Sequence, residues 1–423
     1  MSIRLIIISL LCSCMMTVQG AEQLFTQQPT MMPKMAKSGE HSVGVKTFEV
    51  ANPQQLNLTD FESLQDRQLT LEVWYPAQKG GKLATYENVT RLNKAFAVQG
   101  EAYRDAKPQA QGDFPLVVLS HGYTGYRTIM FYLGEHLASH GYVVVGIDHT
   151  DSTNEDVDFN NNPGSGFVST LINRARDQQF VLDYFSKSNH EFSEVTNTDH
   201  AAVIGYSMGG FGAINTVGGC YDFNSAGLQR LGFPEQAANA MLPLFNFCRA
   251  GLENVDNRWK AMISFAPWGQ ELNVHSAASL AQINVPTLYI AGENDDISGY
   301  EMGVKKLYEQ TGGENTFMLV YENARHNFAP HPAPKVAFET DIEIGHYIEP
   351  AWSNEALTRI NEHFALSFLN CYVKSHEESC QLLPTREDAT QLKDAQGKLS
   401  EPWPGFPDRW GTGMQFHSKK VNE

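Results

Sequence analysis

The stretch Ile204-Gly205-Tyr206-Ser207-Met208-Gly209-Gly210 limits what this chain can fold into more than any other. It follows Ala201-Ala202-Val203-Ile204, a short β-prone run, and precedes residues 211–217, which can continue as a helix. Strand, Gly-x-Ser-x-Gly, helix is the setting in which the pattern means a sharp turn that lifts a Ser hydroxyl above a sheet. Such a turn leaves no room for a Cβ at Gly205 or Gly209, and it holds the Ser in a strained backbone conformation. The rest of the chain must then supply a sheet for the turn to stand on.

It does so by alternation. Residues 43–50 and 69–75 alternate apolar and polar positions as half-buried strands do. Residues 114–119, 142–147, 261–265, 287–290 and 317–321 are almost continuously apolar, and helical patterns at 127–140 and 171–185 lie between the first of them and the Ser turn. Apolar strands alternating with helices predict a parallel sheet covered on both faces. The expected class is α/β, with a mostly parallel eight-stranded sheet, helices on both faces and a catalytic domain over residues 43–330. Residues 219–257 break the alternation with Leu228, Leu231, Phe233, Met241, Leu244 and Phe245 at helical spacing. Above the C-terminal sheet edge, where open α/β sheets place their clefts, this insertion reads as a helical cap rather than a packed excursion. Residues 77–112 read as surface connection, 21–42 as a flexible leader, and 331–423 as a C-terminal extension packed on the domain, with one helical stretch and a Pro-rich tail.

The first 20 residues have a charged start, a short apolar core and small residues near Gly20, which reads as a signal peptide. Leu11-Cys12-Ser13-Cys14 resembles a lipoprotein processing site, but the apolar core before it is short. Removing Arg4 with this segment takes the net charge from −17 to −18. So acidic a surface argues against nucleic acid or anionic membrane as a partner, and a secreted or periplasmic monomer without stable membrane insertion is expected. Four cysteines remain, and four allow three pairings. The sequence-local choice is Cys220–Cys248 with Cys371–Cys380, in an export context that permits disulfides. No Cys-x-x-Cys occurs among them, so no zinc site is expected.

A Ser hydroxyl needs a neighbouring base to become a nucleophile. In this topology the acid and then the His follow the Ser, each on a loop after a strand. Gly292-Glu293-Asn294-Asp295-Asp296 supplies Asp295 as the acid, ahead of Asp296 and Glu293. Glu322-Asn323-Ala324-Arg325-His326 supplies His326 as the base, ahead of His331 and His346. The oxyanion needs two aimed backbone donors, assigned to Met208 and to Tyr123 in the Ser120-His121-Gly122-Tyr123 loop. No cofactor or metal is expected. Asp148-His149-Thr150-Asp151 is read as loop hydrogen bonding rather than a metal site. Asp156 to Asn162 starts like a calcium loop but lacks the Gly and distal Glu of one. Arg174, Arg176 and Asp177 read as helix-surface pairs of small worth.

Gly122-Tyr123-Thr124-Gly125, Ala138-Ser139-His140-Gly141-Tyr142, the Ser207 turn, Ala266-Pro267-Trp268 and Glu293-Asn294-Asp295 resemble the bacterial cutinase-type polyester hydrolases. With Arg127 and His326-Asn327-Phe328, the same strands also resemble the plasma-type platelet-activating-factor acetylhydrolases and the dienelactone-hydrolase-like group. The resemblance implies an α/β-hydrolase fold and cofactor-free ester hydrolysis. It implies Tyr123 and Met208 at the oxyanion, with Tyr123 and Trp268 lining the acyl site; a buried structural role for Trp268 is the plainer alternative. Dienelactone hydrolases carry Cys where this chain has Ser207. The acetylhydrolases place their acid after the strand that here ends in Phe265-Ala266-Pro267-Trp268, which has no Asp. Cutinases lack the 219–257 insertion, and a covered site favours small to medium acyl esters over polymer. Polyester or lipase-like hydrolysis, a peptidase of the prolyl-oligopeptidase kind, and a catalytically dead binding module are the alternatives.

Overall fold

The computed structural model describes residues 20–25, 29–187, 190–246, 248, 255–389, 393, 395–407 and 410–419. The signal-peptide expectation lies outside the described residues, Gly20 apart.

The strands are β1 (Ser42–Leu56), β2 (Leu64–Ala77), β3 (Leu83–Val89), β4 (Ala95–Arg104), β5 (Phe114–Ser120), β6 (Val143–Asp148), β7 (Thr196–Tyr206), β8 (Trp259–Phe265), β9 (Thr287–Gly292), β10 (Thr316–Tyr321) and β11 (Met414–Ser418). The first five α-helices are α1 (Phe131–Ser139), α2 (Phe167–Phe185), α3 (Met208–Thr216), α4 (Ser225–Arg230) and α5 (Glu235–Met241). They are followed by α6 (Ala277–Leu280), α7 (Lys305–Gln310), α8 (Asp341–Ile344), α9 (Asn354–Tyr372) and α10 (Glu377–Cys380). Among the described residues no helix is long and apolar enough to cross a membrane.

All strands join one sheet in the order β11-β10-β9-β8-β7-β5-β6-β2-β1-β4-β3. From β6 through β10 the neighbours run parallel, while β2 pairs antiparallel with β6 and β1 with β2. Among the described residues eleven strands stand where eight were expected. The expected eight are β1, β2 and β5 to β10; β3 and β4 extend one edge, and β11 pairs antiparallel with β10 at the other. The β3–β4 hairpin lies in the stretch read as surface connection. Its buried face carries Ala84, Tyr86, Asn88, Phe96, Val98 and Ala102, so small and polar residues stand at positions where alternation would have needed large apolar ones. The leader also differs from expectation. Glu22 exchanges backbone hydrogen bonds with Ala97 and Gln99 of β4 at 2.8 Å, and Ala36 is buried.

The central strands are buried on both faces, and their side chains divide by the two-residue period of a strand. Val117, Leu119, Ala202, Ile204, Ile263 and Phe265 face one cluster, where Leu133 and Leu137 of α1 and Leu357, Phe364 and Phe368 of α9 cover the sheet. Leu116, Val118, Ala201, Val203 and Met262 face the other, under Val181 and Phe185 of α2 and Leu307 of α7. Helix α9 and strand β11 thus complete the same core from beyond residue 330. Their positions leave the parallel strand ends free to carry the loops of the site.

Candidate active site

The turn after β7 has the geometry its glycines require. Ser207 has φ 53° and ψ −114°, far from the conformations ordinary residues adopt. A Cβ at Gly205 would stand 2.1 Å from the Gly209 carbonyl oxygen, and one at Gly209 would stand 2.0 Å from that of Ser120. The strain is held by backbone bonds from both sides. Ser207 N–H donates to Phe265 O at 2.8 Å, and Ser207 O accepts from Phe211 N and Trp268 N at 2.9 and 3.1 Å.

Loops after three parallel strands converge here. Ser207 Oγ lies 3.0 Å from His326 Nε2, and His326 Nδ1 lies 2.9 and 3.0 Å from the two carboxylate oxygens of Asp295. Asp295 Oδ1 also accepts from Ile297 N at 2.9 Å and Ser298 N at 2.8 Å. Among the described residues His326 is the ring within hydrogen-bond reach of the Ser207 hydroxyl, and Asp295 is the carboxylate on the far side of that ring. All three residues are 6–7% exposed. The acid and His loops are tied together by Asn294 N to Ala324 O and Glu293 N to Tyr321 O, at 2.8 and 3.0 Å.

The alternatives weighed from the sequence sit elsewhere. Asp296 makes a surface ion pair with Arg325, and Glu293 accepts from Asn323 N at 2.9 Å. His331 bonds Tyr126 Oη at 2.7 Å, and His346 is buried beside Tyr347. Tyr123 and Trp268 both edge onto Phe167 at the start of α2, with ring centroids 5.8 and 5.3 Å apart, and Tyr123 Oη donates to Pro163 O at 2.7 Å. These rings join Met208 and Phe211 in an apolar cluster that the insertion completes with Tyr221, Phe223, Leu228 and Phe245. The insertion is closed by Cys220–Cys248, while Cys371–Cys380 fastens the end of α9 to α10.

Several supporting groups had no sequence signal. The Tyr206 ring lies tilted against that of His326 with centroids 5.3 Å apart, and its hydroxyl donates to the His326 carbonyl at 3.3 Å. Glu349, from the C-terminal extension, accepts the backbone N–H groups of Arg325 and Asn327, and burial pushes its pKa up. Phe167 needed the fold to bring it between Tyr123 and Trp268. The surface-pair expectation for α2 is corrected: Arg174 and Asp177 are buried, and only Arg176 keeps partial exposure. Asp177 takes Arg67 on both oxygens at 2.9–3.2 Å and His149 Nδ1 at 2.9 Å, and His149 Nε2 meets Ser120 Oγ at 2.7 Å. Asp148 pairs with Arg127 and Asp151 with Arg67, so the Asp-His-Thr-Asp run is spent on protein contacts.

Residues 25–164, less than half of the chain, match the family described as platelet-activating factor acetylhydrolase, isoform II. Cutinase est2 from Thermobifida alba is 25% identical over 225 residues, 53% of this chain and 56% of its own length. Cutinase 1 from Thermobifida cellulosilytica is 25% identical over 260 residues, 62% of this chain and 77% of its own. Cutinase 2 of the same organism reaches 31% over 230 residues, 54% and 66% of the two chains. A ferulic acid esterase from Streptomyces cinnamoneus superposes with TM-score 0.53 at 19% identity, covering 79% of this chain and 91% of that one, a likeness of fold.

Proposed function

We propose that this α/β-hydrolase, a carboxylic ester hydrolase similar to cutinases and to the acetylhydrolase family, works through a Ser207 acyl-enzyme on small to medium acyl esters outside the cytoplasm. The observation that carries the mechanism is the continuous chain Ser207 Oγ, His326, Asp295, with links of 3.0 and 2.9 Å.

Ser207 Oγ attacks the ester carbonyl carbon while its proton passes to His326 Nε2. Asp295 keeps the other ring proton on Nδ1 and stabilises the imidazolium. The negative charge that gathers on the carbonyl oxygen meets the N–H groups of Tyr123 and Met208. Collapse breaks the ester C–O bond, and His326 returns the proton to the departing alcohol. Water then repeats the sequence on the acyl-enzyme and releases the acid. Trp268, Tyr123 and Phe167 wall the acyl side, and the insertion above them favours acyl groups that fit beneath a cover. The leader-like N-terminus and two disulfides support an exported protein.

The test is Ser207→Ala in the full chain. It should abolish p-nitrophenol release from short-chain esters and labelling by a fluorophosphonate, while the fold remains intact. Hydrolysis surviving in that variant would exclude the mechanism.

A further inference from the structure

The loop on the oxyanion side is gripped from behind. Gly122 O accepts from His121 Nδ1–H at 2.6 Å and from Arg174 Nη2–H at 3.2 Å. The His121 tautomer is set by its other nitrogen, because Nε2 accepts the His149 N–H at 3.2 Å. Burial pushes the His121 pKa well down, so the ring is a neutral Nδ1–H donor. The Gly122–Tyr123 peptide is trans, so its N–H points opposite to its carbonyl. Whatever holds Gly122 O therefore aims Tyr123 N–H. This peptide is close to the chemistry: a Cβ on Gly122 would stand 3.2 Å from Ser207 Cβ.

Arg174 is 1% exposed. Its Nη2 also donates to Ser152 Oγ at 2.9 Å, but its Nε and Nη1 have no hydrogen-bond partner among the described residues. Asp177 is the nearby counter-charge, and that carboxylate is already taken by Arg67 and His149. A buried guanidinium with two unanswered nitrogens is costly, and a native fold that keeps one calls for an explanation. One turn further along α2, Gln178 Nε2 donates to Gly209 O at 3.1 Å. Arg174 and Gln178 are i and i+4, on one helix face, so a single helix holds Gly122 O in the loop before Tyr123 and Gly209 O in the first turn of α3, next to Met208.

We propose that Arg174 is a positioning residue for the oxyanion hole: it holds and polarises the Gly122–Tyr123 peptide so that Tyr123 N–H points at the oxygen that becomes negative when Ser207 attacks. The inference rests on the Ser207 acyl-enzyme mechanism. Because the negative charge exists in the transition state and not in the bound ester, Arg174 acts on kcat and leaves KM nearly unchanged.

Arg174→Gln removes the charge and shortens the reach; Arg174→Lys keeps the charge and loses the paired contacts. Loss of one oxyanion donor costs roughly 10²–10³ in kcat elsewhere, so kcat should fall about a hundredfold for Gln and about tenfold for Lys, with KM within about threefold. Affinity for an alkylboronic acid, whose tetrahedral adduct places an oxygen at the same spot, should fall in step with kcat. A fold-only role would instead lower the thermal midpoint without this parallel. Either folded variant with kcat within about threefold of the parent, or with its loss confined to KM, overturns the inference; where the Gln variant does not fold, the Lys variant decides. Ser207→Ala run alongside separates the two levels. An inert Ser207→Ala with unchanged Arg174 variants sinks only the inference, and an active one sinks the mechanism beneath it.

Discussion

Replacing Asp295 by Asn tests the proposed relay at its least visible link. The amide cannot choose its orientation freely. Oδ1 accepts two backbone N–H groups, from Ile297 and Ser298 at 2.9 and 2.8 Å, so the Asn oxygen must take that place. The NH2 group then occupies the position of Oδ2, 2.9 Å from His326 Nδ1. The oxygen left 3.0 Å from Nδ1 is already shared by two backbone N–H groups while a donor now stands at 2.9 Å, so the ring proton shifts to Nε2, and Nε2 can no longer accept the Ser207 proton. The equivalent change in a Ser-His-Asp hydrolase costs about 10⁴ in kcat through this wrong tautomer. At about 1.4 kcal/mol per decade, that is a barrier rise of about 5 kcal/mol. The expected result with p-nitrophenyl butyrate is a kcat lower by roughly 10³–10⁴, with KM and the thermal midpoint nearly unchanged, because both backbone bonds survive. Asp296→Asn, at an exposed ion pair with Arg325, should leave kcat within about twofold. A folded Asp295→Asn enzyme keeping more than about a tenth of its kcat would refute the assignment, and a larger loss at Asp296 would transfer the role.

Three further outcomes follow from the same geometry. Ser207→Gly should be inactive yet about 1 kcal/mol more stable to urea, since glycine adopts φ 53° without the strain a side chain adds; equal or lower stability would refute stored strain at the turn. His275, His331 and His363 are pushed down by burial to about 3, 4 and 3, so the unfolded chain takes up protons below pH 6.5 that the folded chain refuses, and stability is lost as pH falls. From pH 7 to 5 this amounts to roughly 5 kcal/mol, offset by roughly 2 from Glu362, which burial pushes up to about 8; urea midpoints that rise on acidification would contradict the sign. Opening Cys220–Cys248, which closes 28 residues, should cost about 3.5 kcal/mol, against about 2.5 for Cys371–Cys380, which closes 9. If the insertion is a cap, the first change also raises the rate on bulky acyl esters relative to butyrate, and a fixed ratio would argue that it covers nothing.

The parts of the molecule legible in the sequence are those where one local rule acts alone. Apolar runs such as 116–119 and 202–204 had to be strands buried on both faces, and the glycines at 205 and 209 had to flank a turn with no space beside it. Chain order then narrowed the partners of Ser207 to two loops. The β3–β4 hairpin was not legible because its inward positions include Ala84, Asn88 and Ala102, which carry little apolar signal. Strand β11 escaped for another reason. It is five residues long inside a polar tail, and it is a strand because β10 offers it an edge.

Helix α2 sets the harder limit. Its mixed composition resembles a solvent-facing helix, and Arg174, Asp177 and Gln178 taken alone read as surface. They are buried because β2 supplies Arg67, the loop after β6 supplies His149, and Gly122 in the loop after β5 and Gly209 in the first turn of α3 present carbonyls to the helix. None of these partners lies within 20 residues of the group it meets, so no window of sequence contains the reason for the burial. A side chain that reacts can be found from its own turn, since the turn must distort to present it. A side chain that aims a backbone N–H leaves its mark only on the distant peptide it holds, and it becomes visible when the two are brought together.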